Sequence, residues 1–432
     1  MASSDIQPES PINPPKPAPK PGPRPAPGAP HGAVPGAQPN RAASPTAPAA
    51  PPAAPAPSPA APPAAPAAAP AASPDKPAAS ARPANGSTRP TGPIRAAVIG
   101  YGLSGRVFHA PFLAANPDFS LDAIVTGDPE RGAKATESYP GVRIVPTAEA
   151  LFAQAADLDL VVIGTPPETH VALANAALDA GLAVVIDKPF SVDSEQGWAL
   201  LNRAESLGLP LTVFQNRRWD GDFLTLQALL AEGALGDVYR FESRFEFFKP
   251  GTPRSWKAGA TPAAGGGVLY DLGAHLIDQA VLLFGPVDDF TAELSTRRPG
   301  GAADDDSFVS LHHGSGVRSH LWVSSFAAQA GPRFRVLGSA AGYTKWGVDG
   351  QEAAIQAGNL PSDADFGIEP ESTWGRLGAD GASQVVPTQR GNYAGFYEAL
   401  ANALLRGAPL PVNAVDSAHT IELIERIHAS VR

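Results

Sequence analysis

The sequence predicts an α/β protein whose first folded region is a doubly wound parallel sheet, preceded by a long arm without a core. Three observations carry this. Short, continuously apolar runs alternate with alanine-rich helical stretches, the pattern of parallel strands covered on both faces. The alternation persists from residue 94 to about 215, which gives strand–helix–strand units rather than hairpins. A glycine run in the spacing G-x-G-x-x-G (Gly100, Gly102, Gly105) follows the first apolar run and opens a helical stretch.

The arm comes first. Residues 1–92 are proline- and alanine-rich, and 29 of the 49 prolines of this 432-residue chain fall by Pro93, with no aromatic residue before that point. Such a segment cannot bury enough surface to offset chain entropy, so disorder with polyproline II character is expected. It holds seven Lys/Arg against three Asp/Glu, which leaves 25 basic and 39 acidic residues for the rest. An acidic folded part argues against nucleic-acid binding, which needs clustered positive charge. No window is apolar enough to span a bilayer, and no secretory signal is readable. With no cysteine, disulfides and thiolate chemistry are excluded. The expectation is a cytoplasmic protein with two domains after the arm, 93–215 and 216–432.

The strands expected in the first domain are Arg95–Gly100, Leu121–Thr126, Asp159–Gly164, Ala183–Asp187 and Leu211–Phe214, with a helix over Thr169–Gly181. A glycine run between a strand and a helix is the setting in which its spacing has meaning. Gly100 permits the tight turn, Gly102 lets a pyrophosphate approach the backbone, and Gly105 allows close helix–strand packing. With Leu103 and Ser104 they form a loop whose helix N-terminus faces the anion. The reading is a dinucleotide site.

The residue that reads the adenosine ribose belongs at the end of the second strand. There the chain has Thr126 and Gly127, which leave room for a 2′-phosphate, with Arg131 near enough to meet it. Asp128, two residues on, can still reach a ribose. NADP is favoured over NAD.

Candidate chemistry stands at two further places. Lys188, in Asp187-Lys188-Pro189, lies at the carboxyl end of a strand, where open α/β sheets bind ligands, and a cis bond to Pro189 would aim it inward. Gly265–Gly267 precede a helix with Asp271 and His275 at i and i+4, which puts a carboxylate and an imidazole on one face. A glycine run at a helix start lets another body approach the backbone. Removing a hydroxyl proton during hydride transfer calls for a base near neutrality, which histidine supplies. His312 and His313 read as a strand end, and no metal-ligand spacing appears, so no metal is expected.

Three motifs in order, GYGLSG, DKP and GGGVLYDLGAH, resemble those of the Gfo/Idh/MocA family of nicotinamide-dependent oxidoreductases. Val213–Gly236, YDLGAHLIDQAVLLFG and GNYAGFYEAL resemble the branch with NADP-dependent scyllo-inositol 2-dehydrogenases. The resemblance covers residues 94–432. It implies a Rossmann domain, then a C-terminal α/β domain with a large, mostly antiparallel open sheet that packs against a partner, giving a homodimer or homotetramer. The alternation in Val238–Phe248, DSFVSLHH and VRSHLWVSSFA is compatible with half-buried strands. The resemblance assigns Lys188, Asp271 and His275 to the active site. It places Thr165, Pro166, His170 and Asp187 beside the cofactor, and Asn216 and Arg217, followed by Arg218, in a loop toward substrate. Trp219 and Trp256 are candidates to stack on a polyol ring. Two departures stand out: Asp187 replaces the family's usual glutamate, and Pro167 replaces an asparagine in TPPETH. The implied activity is oxidation or reduction at the CH–OH or C=O group of a polyol, cyclitol or sugar derivative. The alternatives are a trans-dihydrodiol or other carbonyl reductase, and a cofactor-binding regulator without catalysis.

Overall fold

The computed structural model describes residues 92–251 and 259–431; the arm and Trp256 lie outside them. Strands β1 (Ile94–Ile99), β2 (Phe119–Val125), β3 (Arg143–Val145), β4 (Leu160–Ile163), β5 (Ala183–Asp187) and β6 (Leu211–Phe214) form one sheet. Its order is β3-β2-β1-β4-β5-β6 and every pairing is parallel. This is the doubly wound Rossmann sheet, with β3 added to the five apolar runs read from the sequence. The order reverses between β1 and β4. The loops after those two strands therefore meet at the switch point, where such sheets hold ligands. All four residues of β4 are buried, as are all four of β6, because helices cover both faces.

The second sheet has eight strands: β7 (Val238–Glu246), β8 (Val287–Ser295), β9 (Asp306–His313), β10 (Arg318–Ser324), β11 (Phe334–Gly338), β12 (Gly342–Lys345), β13 (Gly375–Gly378) and β14 (Gln384–Val386). Their order is β14-β13-β12-β11-β7-β10-β9-β8. All neighbours are antiparallel except one interior pair, β7 with β10. The period-two pattern shows in β10, where Ser319, Leu321 and Val323 are buried while His320 and Trp322 are half-buried on the other side. Phe241, Phe245, Leu311 and Phe334 share the inner core with Leu276 and Ile277 of the helix Ala274–Phe284.

The last helix, Ala414–Ser430, joins the two halves. Asn413 caps it, its side chain accepting from the Val415 N–H. Ala418, Ile421, Ile424 and Ile427 are buried, and the helix packs against β6, β8 and the helices Ser194–Leu207 and Ala274–Phe284. Glu425 accepts hydrogen bonds from the backbone and hydroxyl of Ser194. Among the described residues no helix is long and apolar enough to cross a membrane.

Candidate active site

The glycine loop has three glycines for three different reasons. Gly100 adopts φ +95°, and a Cβ there would sit 2.8 Å from the Gly164 carbonyl oxygen. A Cβ on Gly105 would lie 2.0 Å from the Gly100 carbonyl oxygen, so the helical turn Gly105–His109 is pressed onto the end of β1. Gly102 differs: only Arg131 Nη1 comes within 4 Å of its Cβ position, at 3.9 Å. The backbone there is open to an approaching pyrophosphate, and Leu103 beside it is exposed.

After β2, Asp128 is committed to the helix that follows. Its carboxylate accepts from the N–H groups of Glu130 and Arg131 at 2.9 and 3.2 Å, capping the helix Pro129–Ser138. It also pairs with Arg131 Nε at 3.3 Å. Thr126 accepts from the Asp128 N–H at 3.3 Å, and Gly127 is exposed, with the Pro146 carbonyl 3.7 Å from its Cβ position. The acid expected to compete for a ribose is thus held at a helix start, and Arg131 leans toward Gly102.

The loop after β4 is tied to the loop after β5. The Thr165 and Thr169 hydroxyls lie 2.7 Å apart, and Thr169 donates to the Pro166 carbonyl. His170 is buried with its ring nitrogens 2.9 Å from the carbonyls of Thr165 and Pro189. Burial lowers its pKa, against the opposing pull of Asp187. Its imidazole is a strut between two loops, and Thr165 and Pro166 are half-buried beside it.

The Lys188–Pro189 bond is cis. Asp187 Oδ1 accepts from the Lys188 N–H at 2.7 Å. Burial pushes the Asp187 carboxyl up, but His109, Lys188 and the Ser104 hydroxyl outweigh it and hold the pKa at about 2. His109 and Tyr397 were not singled out in the sequence. His109 is fully buried, its Nδ1 2.6 Å from the Tyr397 hydroxyl and its Nε2 3.9 Å from Asp187 Oδ2. Their signal was a histidine just past the glycine run and a tyrosine in GNYAGFYEAL.

Lys188 spans the two halves. Its Nζ donates to the Asp271 carbonyl at 2.7 Å and to Asp271 Oδ1 at 3.1 Å. Asp271 lies in a wide π-helical turn, Leu269–Gly273, that runs straight into the helix Ala274–Phe284 bearing His275. His275 is buried, edge-on to Phe245 at 6.2 Å. Burial pushes its pKa well below the ordinary value; Lys188, Arg217 and Arg333 add to this and Asp271 opposes it. Its Nδ1 has no hydrogen-bond partner among the described residues.

Two expectations about neighbours need correction. What approaches the run Gly265–Gly267 is the protein itself: a Cβ on Gly266 would sit 2.2 Å from the Ala260 carbonyl oxygen, and one on Gly267 2.0 Å from Asp304 Oδ1. The arginines after β6 are likewise turned inward. Arg217 Nη1 donates to the Tyr393 hydroxyl at 3.0 Å and Nη2 to Glu352 at 3.0 Å, with Asp220 at 3.5 Å. Arg218 makes a two-pronged pair with Asp278 at 2.8 and 2.6 Å and reaches Asp416. A desolvated guanidinium needs a carboxylate beside it, and the planar fork of Arg218 meets Asp278 with two parallel charge-assisted bonds. Asn216 is buried, and Trp219 packs edge-on against Phe396 at 5.5 Å. Trp256 lies outside the described residues. Among the described residues, no group of three or more His, Asp or Glu is placed to hold a metal ion.

Two family models match this arrangement region by region. Residues 94–215 match an oxidoreductase family with an NAD-binding Rossmann fold, and residues 223–344 match the GFO/IDH/MocA C-terminal domain. The chain belongs to the Gfo/Idh/MocA family of oxidoreductases. Within that family it is 40% identical over 334 residues to the oxidoreductase YdgJ of Escherichia coli, covering 77% of this chain and 94% of the relative. It is 33% identical to the scyllo-inositol 2-dehydrogenase (NADP(+)) IolW of Bacillus subtilis, over 77% of this chain and 92% of that one. The solved structure of yvaA from Bacillus subtilis superimposes with a TM-score of 0.74 at 31% identity, covering 80% of this chain and 97% of the other. The matched C-terminal region, 223–344, takes in strands β7 to β11 and most of β12 of the second sheet.

Proposed function

We propose that the protein is an NADP-preferring dehydrogenase acting at the CH–OH or C=O group of a polyol, cyclitol or sugar derivative. The observation that carries this is the Lys188–Asp271 contact, which sets an ammonium from the first half against the turn leading to a neutral, buried His275. Residues 93–215 hold the cofactor and residues 216–432 supply the substrate side.

The residues present fit a nicotinamide dinucleotide. Gly100, Gly102, Leu103, Ser104 and Gly105 would hold the pyrophosphate, because Gly102 alone of the three glycines leaves its Cβ position open toward solvent. Thr126, Gly127 and Arg131 would face the 2′-phosphate, which a carboxylate at that point would repel. When bound, the cofactor supplies the hydride acceptor or donor. The chain supplies the proton chemistry. His275, neutral at pH 7, takes the hydroxyl proton as the carbon gives up hydride, and returns it in the reverse direction. Lys188 polarises the same oxygen, and Asp271 fixes the ammonium by two bonds. The likeness to the inositol dehydrogenase, and at 28% identity to a D-apiose dehydrogenase, supports the substrate class.

Phe308, His320 and Trp322 make an aromatic outer face on the second sheet, with Arg244 stacked over Trp322 at 3.8 Å. This face supports a homodimer or homotetramer, which the same reading puts in the cytoplasm. A spectrophotometric panel of inositols, hexoses and their keto forms with both cofactors is the test. NADP-linked turnover of a member is expected; tight cofactor binding with no turnover of any would favour a regulator.

A further inference from the structure

Asp304 precedes β9 and is not part of any motif noted above. Two of its atoms engage the start of the turn that carries Asp271. Its carbonyl accepts from the Val268 N–H at 2.9 Å. Its Oδ2 accepts from the Leu269 N–H at 2.9 Å and from the Ser307 hydroxyl at 2.8 Å. The first N–H groups of a helix have no partner inside it and need outside acceptors. Here Val268 stands at the capping position and its side chain makes no cap bond. The acceptor comes instead from a carboxylate 35 residues further along the chain.

The surroundings fit around this carboxylate. Gly267 adopts φ +100°, and a Cβ there would lie 2.0 Å from Asp304 Oδ1. From the last helix, His428 brings Nε2 to 3.8 Å from the same oxygen, and its ring stacks on Tyr270 of the turn at 5.5 Å. One turn along, Asp271 holds Lys188 with its carbonyl and Oδ1. We infer that Asp304 is a positioning residue: it caps the catalytic turn from a distance, and through Asp271 fixes where the Lys188 ammonium stands. The inference rests on the assignment of Lys188 and Asp271 to the active site.

The test reads Lys188 directly. The full chain is treated with an amine-acetylating reagent, and Lys188 is followed by peptide mass spectrometry against the exposed Lys134. Asp304→Ala should speed Lys188 acetylation roughly five- to tenfold, the effect of a lost cap on the population of a turn. It should lower kcat while leaving NADP affinity near wild type. Asp304→Asn keeps an acceptor for the Leu269 N–H and should return both values toward wild type. If Asp304→Ala does not fold, Gly267→Ala, which forces a Cβ against Oδ1, carries the same reading. Unchanged Lys188 acetylation, or Asn as damaging as Ala, overturns the inference. Faster acetylation beside a Lys188→Ala enzyme with normal turnover leaves the positioning standing and removes the catalytic assignment.

Discussion

The glycine run Gly100–Gly105 and the run Gly265–Gly267 both stand before helical turns at the cleft, and the chain uses them in opposite ways. In the first, Gly100 and Gly105 are consumed by close backbone contacts, while Gly102 has only the tip of Arg131 near its Cβ position. In the second, Val192, Ala260 and Asp304 each crowd one glycine. One run leaves a backbone position open, as the proposed dinucleotide site requires; in the other the protein closes on itself. Identical residues in similar settings therefore carry different information. The arginines repeat the contrast: Arg131 is exposed beside the open glycine loop, whereas Arg217 and Arg218 are spent on buried and half-buried carboxylates.

The sharpest break of this comparison lies in the second region. His275→Ala should lower kcat by roughly 10²–10⁴ with cofactor affinity nearly unchanged, the range for a lost general base. Because His275 is held well below the ordinary histidine value of 6.5, wild-type kcat/KM should persist as pH falls through that value. An acid limb at or above it would show that the imidazole is not held neutral by its surroundings.

Glycine substitutions test the contrast itself. Gly105→Ala should destabilise by more than about 2 kcal/mol, since the new Cβ meets backbone that cannot move aside. Gly102→Ala should leave Tm near wild type and weaken NADP binding about tenfold or more, as a methyl group enters the anion's approach. Equal thermal shifts for the two variants would erase the distinction.

Asp187 gives a stability prediction with a definite sign. Its folded-state pKa of about 2 lies below the ordinary 3.8. Its contribution is therefore full above pH 3.8 and is lost as pH falls through about 2. The size is about 2 kcal/mol. Urea titrations across that window should show Asp187→Asn with a flatter pH dependence than wild type. Smallest is Arg131→Ala, which should weaken NADP binding by up to about tenfold and leave NAD binding alone, as expected for one exposed charge-assisted contact. Equal losses for both cofactors would place Arg131 on the pyrophosphate instead.

The first sheet was legible because its strands are continuous apolar runs, and β5 and β6 fall on the residues expected. β3 was not, being three residues, Arg143-Ile144-Val145, of which only Val145 is buried. Strands β8 and β11 to β14 were also missed: no residue of Val287–Ser295 is buried, and Phe334–Gly338, Gly342–Lys345 and Gly375–Gly378 each contain glycine and are too short for alternation to register. At the site, Lys188 and Asp271 stood out because each sits in a compact motif, and they meet. The partners of Arg217 and Arg218 did not, since Glu352 and Asp416 lie 135 and 198 residues away. Asp304 was invisible for the same reason. A side chain whose purpose is set by a distant segment leaves no local pattern.

The helix Ala414–Ser430 has a consequence for biosynthesis. It lies against β6 and the helix Ser194–Leu207 on one side, and against β8 and the helix Ala274–Phe284 on the other. During translation the nucleotide-binding half emerges some two hundred residues before this helix does. Domains fold in order as they leave the ribosome, so that half must wait with its flank at Leu211–Phe214 uncovered until the closing segment arrives. Nascent chains stalled before residue 414 should remain protease-sensitive around Ser194–Phe214, and become resistant once residue 430 has cleared the exit tunnel.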